Sequence, residues 1–293
     1  MQVGTSDNKP KFVYVGKAVE IGYELGKKKY MPNDKNDLLI MKEKSEVLFE
    51  ELFQTVNGGE CGWISSNMIE YKRIDAPYLL NIIARDKLKE EHSQTVSLGE
   101  LYSISEQYVA VSAEKEYRYL EIPDLSDNTA MISNIRTLKG SEILSSRMQS
   151  VRGGDILFSR INPRKSRVTL VPNEMGLVLT SGEIYVLQYK ENNYISYDNR
   201  YCVIPLLQSK MVKDQLVRLS TGSSSSRARI PQDELLTDVY VQIPSREVQC
   251  KLSNNVVNMT EKYWLQAQDV LSKYIENQIL LGGEEETKHI RSI

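Results

Sequence analysis

Histidine is nearly absent from this chain of 293 residues: only His92 and His289 occur. A Ser–His–Asp or Cys–His arrangement would have to recruit one of them. His92 follows the charged stretch KLKEE and His289 lies in a polar tail, so both read as solvated side chains. Cysteine is equally scarce. Cys61, Cys202 and Cys250 are far apart and odd in number, which excludes a disulfide framework and reads as three buried free thiols. No CxxC pair occurs, and no histidine stands beside a cysteine at zinc-ligand spacing. Neither a GxxxxGK[ST] phosphate loop nor a GxGxxG turn is present. No apolar run approaches the roughly 18 residues of a membrane-spanning helix, and MQVGTSDNKPK lacks a signal-peptide core. A cytoplasmic location, no metal and no cofactor are the expectations.

The same poverty extends to DNA-modifying chemistry. Amino-methylating enzymes need an Asn/Asp-Pro-Pro-aromatic tetrad. The nearest stretch, Asn162-Pro163-Arg164-Lys165, lacks the second proline and the ring. Metal-dependent nucleases need carboxylates and a lysine clustered at a strand end, whereas Asp7-Asn8-Lys9 and Glu261-Lys262 fall in a polar terminus and a helical stretch. The chain is therefore expected to be non-catalytic.

What it does have is apolar material for a core, 41% of residues, with 26% charged and a formal net charge of −2. The length suggests two packed units and a connecting element. Residues 1–93 read as a helical extension. Phe12 to Val15 is apolar, Gly22 to Gly26 marks a turn, and MPNDKND a loop. Leu38 through Phe53 then form an amphipathic helix closed by Gly58-Gly59. A short helix follows Pro77, and KLKEEH reads as a solvated linker.

Residues 94–244 read as a mixed α+β unit. Apolar stretches at Ile156–Phe158, Val168–Val171, Leu177–Leu179 and Ile184–Leu187 are separated by turn residues, and Ile204 to Leu219 carries helical periodicity. Residues 245–281 read as one long helix, with 282–293 a polar tail. Leu252, Val256, Met259, Tyr263, Trp264, Val270, Leu271 and Tyr274 mark its apolar side. A helix of about 36 residues is about 54 Å long. A stripe of that length calls for a partner helix, in another subunit or in this chain.

Positive charge gathers locally. Arg136 to Arg167 holds eight basic residues against Glu142 and Asp155; Arg200 to Arg229 holds six against Asp214. SRINPRKSR follows a strand and is rich in loop formers. TGSSSSRAR joins two arginines to small hydroxyl side chains that let a phosphate approach. Arginine grips guanine or phosphate in a bidentate way. Candidate DNA contacts are Arg160, Asn162, Arg164, Lys165, Arg167, Thr180, Ser181, Ser224, Ser225, Arg227 and Arg229. By charge alone a basic strip is as readily an ordinary solvated face.

Five stretches in order carry a resemblance: VSLGELYSI; RGGDILFSRINPRKSRVTLV; GLVLTSGEIYVLQ; TGSSSSRARIPQDELLTDVYVQIPSREVQ; and the long helix. Together they resemble the target recognition domain of Type I restriction–modification specificity subunits, over roughly residues 95–280. The resemblance implies a domain that reads half of a bipartite site in double-stranded DNA. It also implies a coiled-coil-like helix that docks the adenine methyltransferase (M) and restriction (R) subunits. Most members carry two recognition domains; this chain shows one copy and no repeat. A homodimer through the helix, or a reader fused to other parts, would both account for that. FVYVGKAVEIGYELGKKKYMPNDKNDLL and IEYKRIDAPYLL resemble the C-terminal tail of adenine-specific methyltransferases of such systems, although an ordinary helical extension explains them equally. The alternatives to a specificity subunit are the recognition end of a fused methyltransferase–nuclease and a helical adaptor without DNA specificity.

Overall fold

The computed structural model describes residues 73–266 except 74, 128, 134, 223 and 225, together with backbone strands between residues 12 and 65. Those early strands are β1 (Phe12–Lys17), β2 (Ile21–Leu25), β3 (Tyr30–Asn36), β4 (Gln54–Val56) and β5 (Gly59–Ser65). They form an antiparallel sheet of order β1-β5-β4 and a separate β2–β3 pair. The helical reading of this region is therefore corrected: the stretches taken as a turn at Gly22 and a loop at MPNDKND are strands. In a two-stranded pair both strands are edges, which is where a proline such as Pro32 is tolerated. The helix expected at Leu38–Phe53 lies outside the described residues.

The remainder is an α+β fold in three layers. In chain order it contains α1 (Ala76–Glu91), β6 (Thr95–Ser97), α2 (Leu98–Leu101), β7 (Tyr102–Ile104), β8 (Tyr108–Ala110) and β9 (Glu116–Leu120). Then come β10 (Arg136–Lys139), β11 (Arg147–Val151), β12 (Ile156–Ser159), β13 (Val168–Leu170), β14 (Val178–Thr180) and β15 (Ile184–Tyr189). Helices α3 (Val203–Leu207), α4 (Lys210–Leu219) and α5 (Gln232–Thr237) precede β16 (Tyr240–Gln242), and a last helix, α6, covers 246–266.

The middle layer is a four-stranded antiparallel sheet of order β13-β12-β15-β7. Because side chains alternate across a strand, Ile156, Phe158, Tyr185 and Leu187 face one core while Leu157, Ile184 and Val186 face another. The first core is shared with the helices, the second with Leu120, Val151 and Val178 of a five-stranded sheet of order β10-β9-β14-β11-β8. A sheet covered on both faces needs unbroken apolar strands, which is why ILFS and IYVL show no alternation.

The helical layer does not stop at residue 93. Tyr78, Leu79, Leu80, Ile82 and Ile83 of α1 belong to the first core. Asp75 caps that helix by accepting from the Tyr78 amide at 3.2 Å, and the helix runs on through the KLKEE stretch read as a linker. Arg73 ties its start to the rest, donating to Leu219 O at 2.7 Å and Glu234 Oε2 at 2.8 Å. The helical periodicity of Ile204–Leu219 is divided into α3 and α4 at Gln208-Ser209, where the Ser209 hydroxyl accepts from Val212 N. Buried Gln215 then donates to Tyr240 O and accepts from Tyr240 N, both at 2.8 Å, acting as a substitute strand beside β16.

Helix α6 lies along this body. Gln249, Ser253, Val256 and Thr260 are buried, Leu252 and Val257 pack on the first core, and Trp264 on the second. Glu261 accepts from both nitrogens of Asn173 at 3.0 Å. Three of the proposed docking residues, Leu252, Val256 and Trp264, thus cover this chain's own cores. Met259 and Tyr263 are exposed, as is Val248 on the same side; Val270, Leu271 and Tyr274 lie outside the described residues. Cys202 is buried, which pushes its thiol up to about 12, whereas Cys250 is exposed, correcting the expectation of buried thiols throughout. No helix among the described residues is long and apolar enough to cross a membrane. Among them no group of three or more His, Cys, Asp or Glu could hold a metal.

Candidate nucleic-acid interface

At one end of the middle sheet three loops converge. The first leaves β12 at Arg160, the second is the Ser181–Glu183 turn before β15, and the third is the 221–230 segment after α4. Backbone hydrogen bonds lock them together. Arg160 N donates to Glu183 O at 3.1 Å, Asn162 N to Ala228 O at 2.8 Å, and Ile230 N to Arg160 O at 3.1 Å. Thr221 and Arg229 exchange both backbone bonds at 2.8 Å, closing the third loop on itself. Gly222 permits that closure, since a Cβ there would sit 2.8 Å from the Ala228 Cα.

The first loop holds an unusual shape. Asn162 and Ser166 have φ of 50° and 44°, the only positive values among described non-glycine residues, and they bracket a short 3-10 turn, Pro163–Lys165. Asparagine tolerates that region, but serine does so only when held. Ser166 is held: its amide donates to Pro163 O and its buried hydroxyl to Leu207 O at 2.7 Å. The consequence is a stiff turn that carries Arg164 and Lys165 at its tip.

The side chains divide by how they are engaged. Arg164 is exposed and its Nε donates to Asn162 Oδ1 at 2.9 Å; Arg227 is also exposed. Neither forms an ion pair among the described residues. Ser224 is exposed, its hydroxyl 3.3 Å from that of Ser226, and the Ser181 hydroxyl accepts from Glu183 N. The other four cations share two carboxylates. Lys165 Nζ lies 2.5 Å from Asp127 Oδ2, and Arg167 Nε bonds the second oxygen of the same group. Glu183 receives Arg229 at 3.0 Å and stands 3.4 Å from Arg160 Nε. Arg160 also lies over the Tyr185 ring, 5.5 Å from its centroid. Burial pushes the Asp127 carboxyl up, but the hydrogen bonds from Lys165 and Arg167 outweigh it and hold the group below the ordinary aspartate value. The hydrogen bond to Glu183 raises Arg229 above its ordinary range.

Ten of the eleven candidate contacts are therefore described, and nine lie on these loops or their rim. Thr180 does not: it is fully buried in β14 with its hydroxyl directed at Leu120 O, so it reaches no surface. Ser225 lies outside the described residues. The wider basic runs do not form one patch. Arg136 sits on β10 paired with Glu121 at 2.7 Å, while Arg147 is three strands away on β11 over the Tyr108 ring. Arg200 is stacked between Tyr197 and Tyr201, at 3.8 and 4.2 Å from their ring centroids. Reading the sequence missed Asp127 and Glu183. Both lie outside the windows in which charge is counted, and only the fold brings them to the cations.

No protein-family model and no curated protein matches the chain. Among solved structures, it is similar to a chain from a structure described as the structural basis underlying complex assembly and conformational transition of the type I R-M system. The two share 16% identity and a TM-score of 0.44, over 63% of this chain and 45% of that one. It is likewise similar to the HsdS subunit from Thermoanaerobacter tengcongensis, at 18% identity and a TM-score of 0.44, over 64% of this chain and 46% of that one. The chain thus matches less than half the length of either.

Proposed function

We propose that this chain is the DNA sequence-reading component of a Type I-like restriction–modification system, supplying recognition while partner subunits supply the chemistry. One observation carries the reading: three loops distant in sequence are hydrogen-bonded into a single edge that bears Arg160, Arg164, Lys165, Arg167, Arg227 and Arg229. A stiff, arginine-bearing turn flanked by small hydroxyl residues suits close approach to phosphates and reach toward base edges. Arg164 and Arg227, free of carboxylates among the described residues, are assigned the first contacts. On this reading methyltransferase and restriction subunits, or a second copy of the chain, dock along the side of α6 that displays Val248, Met259 and Tyr263.

The test is binding of the full chain to a fluorescent mixed-sequence duplex across a salt series. The double variant R164A/R227A is expected to bind at least about tenfold more weakly at moderate salt. Its slope of log affinity against log salt should flatten by about 2. Wild-type affinity in that variant at matched salt would remove these residues from the interface. A wild-type chain that binds no duplex at low salt would end the reading altogether.

A further inference from the structure

We propose that Asp127 and Glu183 occupy the places of DNA phosphates when no DNA is bound, engaging four interface cations, offsetting two of their charges and so suppressing attachment to non-target DNA. The inference rests on the DNA-reading role above and specifies how that site is regulated.

Each carboxylate does the same thing in a different place. Asp127, in the connection between β9 and β10, meets Lys165 and Arg167 with one oxygen each. Glu183, in the turn before β15, meets Arg229 with both oxygens, at 3.0 and 3.2 Å, and Arg160 with the second. A carboxylate that accepts from two neighbouring cations presents the same forked pair of anionic oxygens as a phosphodiester. Both sites are open to solvent rather than sealed. The Asp127 and Glu183 side chains are 34% and 32% exposed, and Arg229 is 47% exposed. Exposed ion pairs are weak and yield to competing charge. Arg160 is in addition incompletely served, since its buried Nε lies in ion-pair range of Glu183 but makes no hydrogen bond.

Binding to arbitrary DNA is driven almost entirely by phosphate neutralisation and counterion release. The two carboxylates engage four of the six cations at the edge and cancel two of the six positive charges, which removes part of that drive. The guanidinium groups nevertheless stay pre-positioned for a duplex whose groove geometry can displace the acids. Discrimination then follows from a penalty imposed on every sequence and recovered only at the right one.

The experiment compares the full-length wild type with D127N, E183Q and the double variant, using a mixed-sequence duplex over a salt series. Each substitution preserves shape and an acceptor oxygen while removing one negative charge. Circular dichroism melts check folding, and E183Q, whose partners Arg229 and Arg160 are 47% and 33% exposed, stands alone if D127N melts early. The double variant is expected to bind about tenfold tighter or more, with a log–log salt slope steeper by up to about 2. If the wild type binds with strong salt dependence and the folded variants match it in affinity and slope, the acids merely brace the loops and this inference is overturned, the DNA role standing. If neither the wild type nor any folded variant binds at low salt, both fall together.

Discussion

Ser166 shows how much a single residue can be asked to do. Its backbone is left-handed, which costs a non-glycine residue on the order of 1 kcal/mol or more, and its hydroxyl is spent inside the protein on Leu207 O. Ser166→Ala keeps the strain and loses the hydrogen bond, so a loss of about 1–3 kcal/mol in urea unfolding is expected. Ser166→Gly loses the same bond but relaxes the backbone, and should fall closer to the wild type. The reverse order would show that the turn is not held by this conformation. Asp155 offers a test by pH. Burial, only partly offset by the hydrogen bond from Arg152 N, raises its carboxyl above the ordinary value. A raised folded-state value means stability is complete with the group protonated and is lost as pH rises through it. Asp155→Asn, which keeps an acceptor for Arg152 N, should therefore raise the melting temperature by about 1–3 °C at neutral pH. The gain should vanish below about pH 4, the range of an unperturbed aspartate. An equal gain at both pH values would assign the effect to something other than charge. Asp127 runs the other way: its lowered value places its contribution above the ordinary aspartate range, to be lost as the medium is acidified.

At the scale of elements, what could be read from the sequence follows from how local the signal is. The strands of the middle sheet were legible because burial on both faces demands short unbroken apolar runs, and Ile156–Ser159 and Ile184–Tyr189 have them. Leu157 at the centre of that sheet is fully buried, and Leu157→Ala should cost about 2–5 kcal/mol by chemical denaturation. The early strands were not legible, because Tyr30–Asn36 is built of residues that otherwise signal loops, and its pairing with Ile21–Leu25 is a tertiary matter. The helical character of 246–266 was plain from its spacing, yet spacing does not say what a stripe meets. Val256 and Trp264 meet this chain's own cores while Met259 and Tyr263, one step around the helix, do not. The candidate site shows the same division. Two arginine-bearing loops could be picked out from composition, but composition does not show that β14 buries Thr180, one of the candidate contacts. The acids that hold four of the cations come from remote segments.

At the scale of the molecule, the surfaces proposed for recognition and for assembly are different ones. The loop edge bears the cations; the outer side of α6 bears the uncovered apolar residues Met259 and Tyr263. Changes on one should leave the other intact. Met259→Lys with Tyr263→Lys is expected to leave the melting temperature and duplex affinity within error. It should abolish sedimentation of the chain as a dimer or as a complex with a methyltransferase subunit. A melting loss comparable to that of Val256→Ala would instead make this side part of the chain's own packing. If two copies do pair through α6, two-fold symmetry of the protein carries over to the DNA, and the preferred site must be an inverted repeat of one short half-site. Selection from a random duplex pool decides the matter. A palindromic bipartite motif is expected from the wild type, and a single half-site from the Met259→Lys, Tyr263→Lys variant. A non-palindromic bipartite motif would require a second, different reader, and would rule out symmetric pairing as the way this chain completes its site.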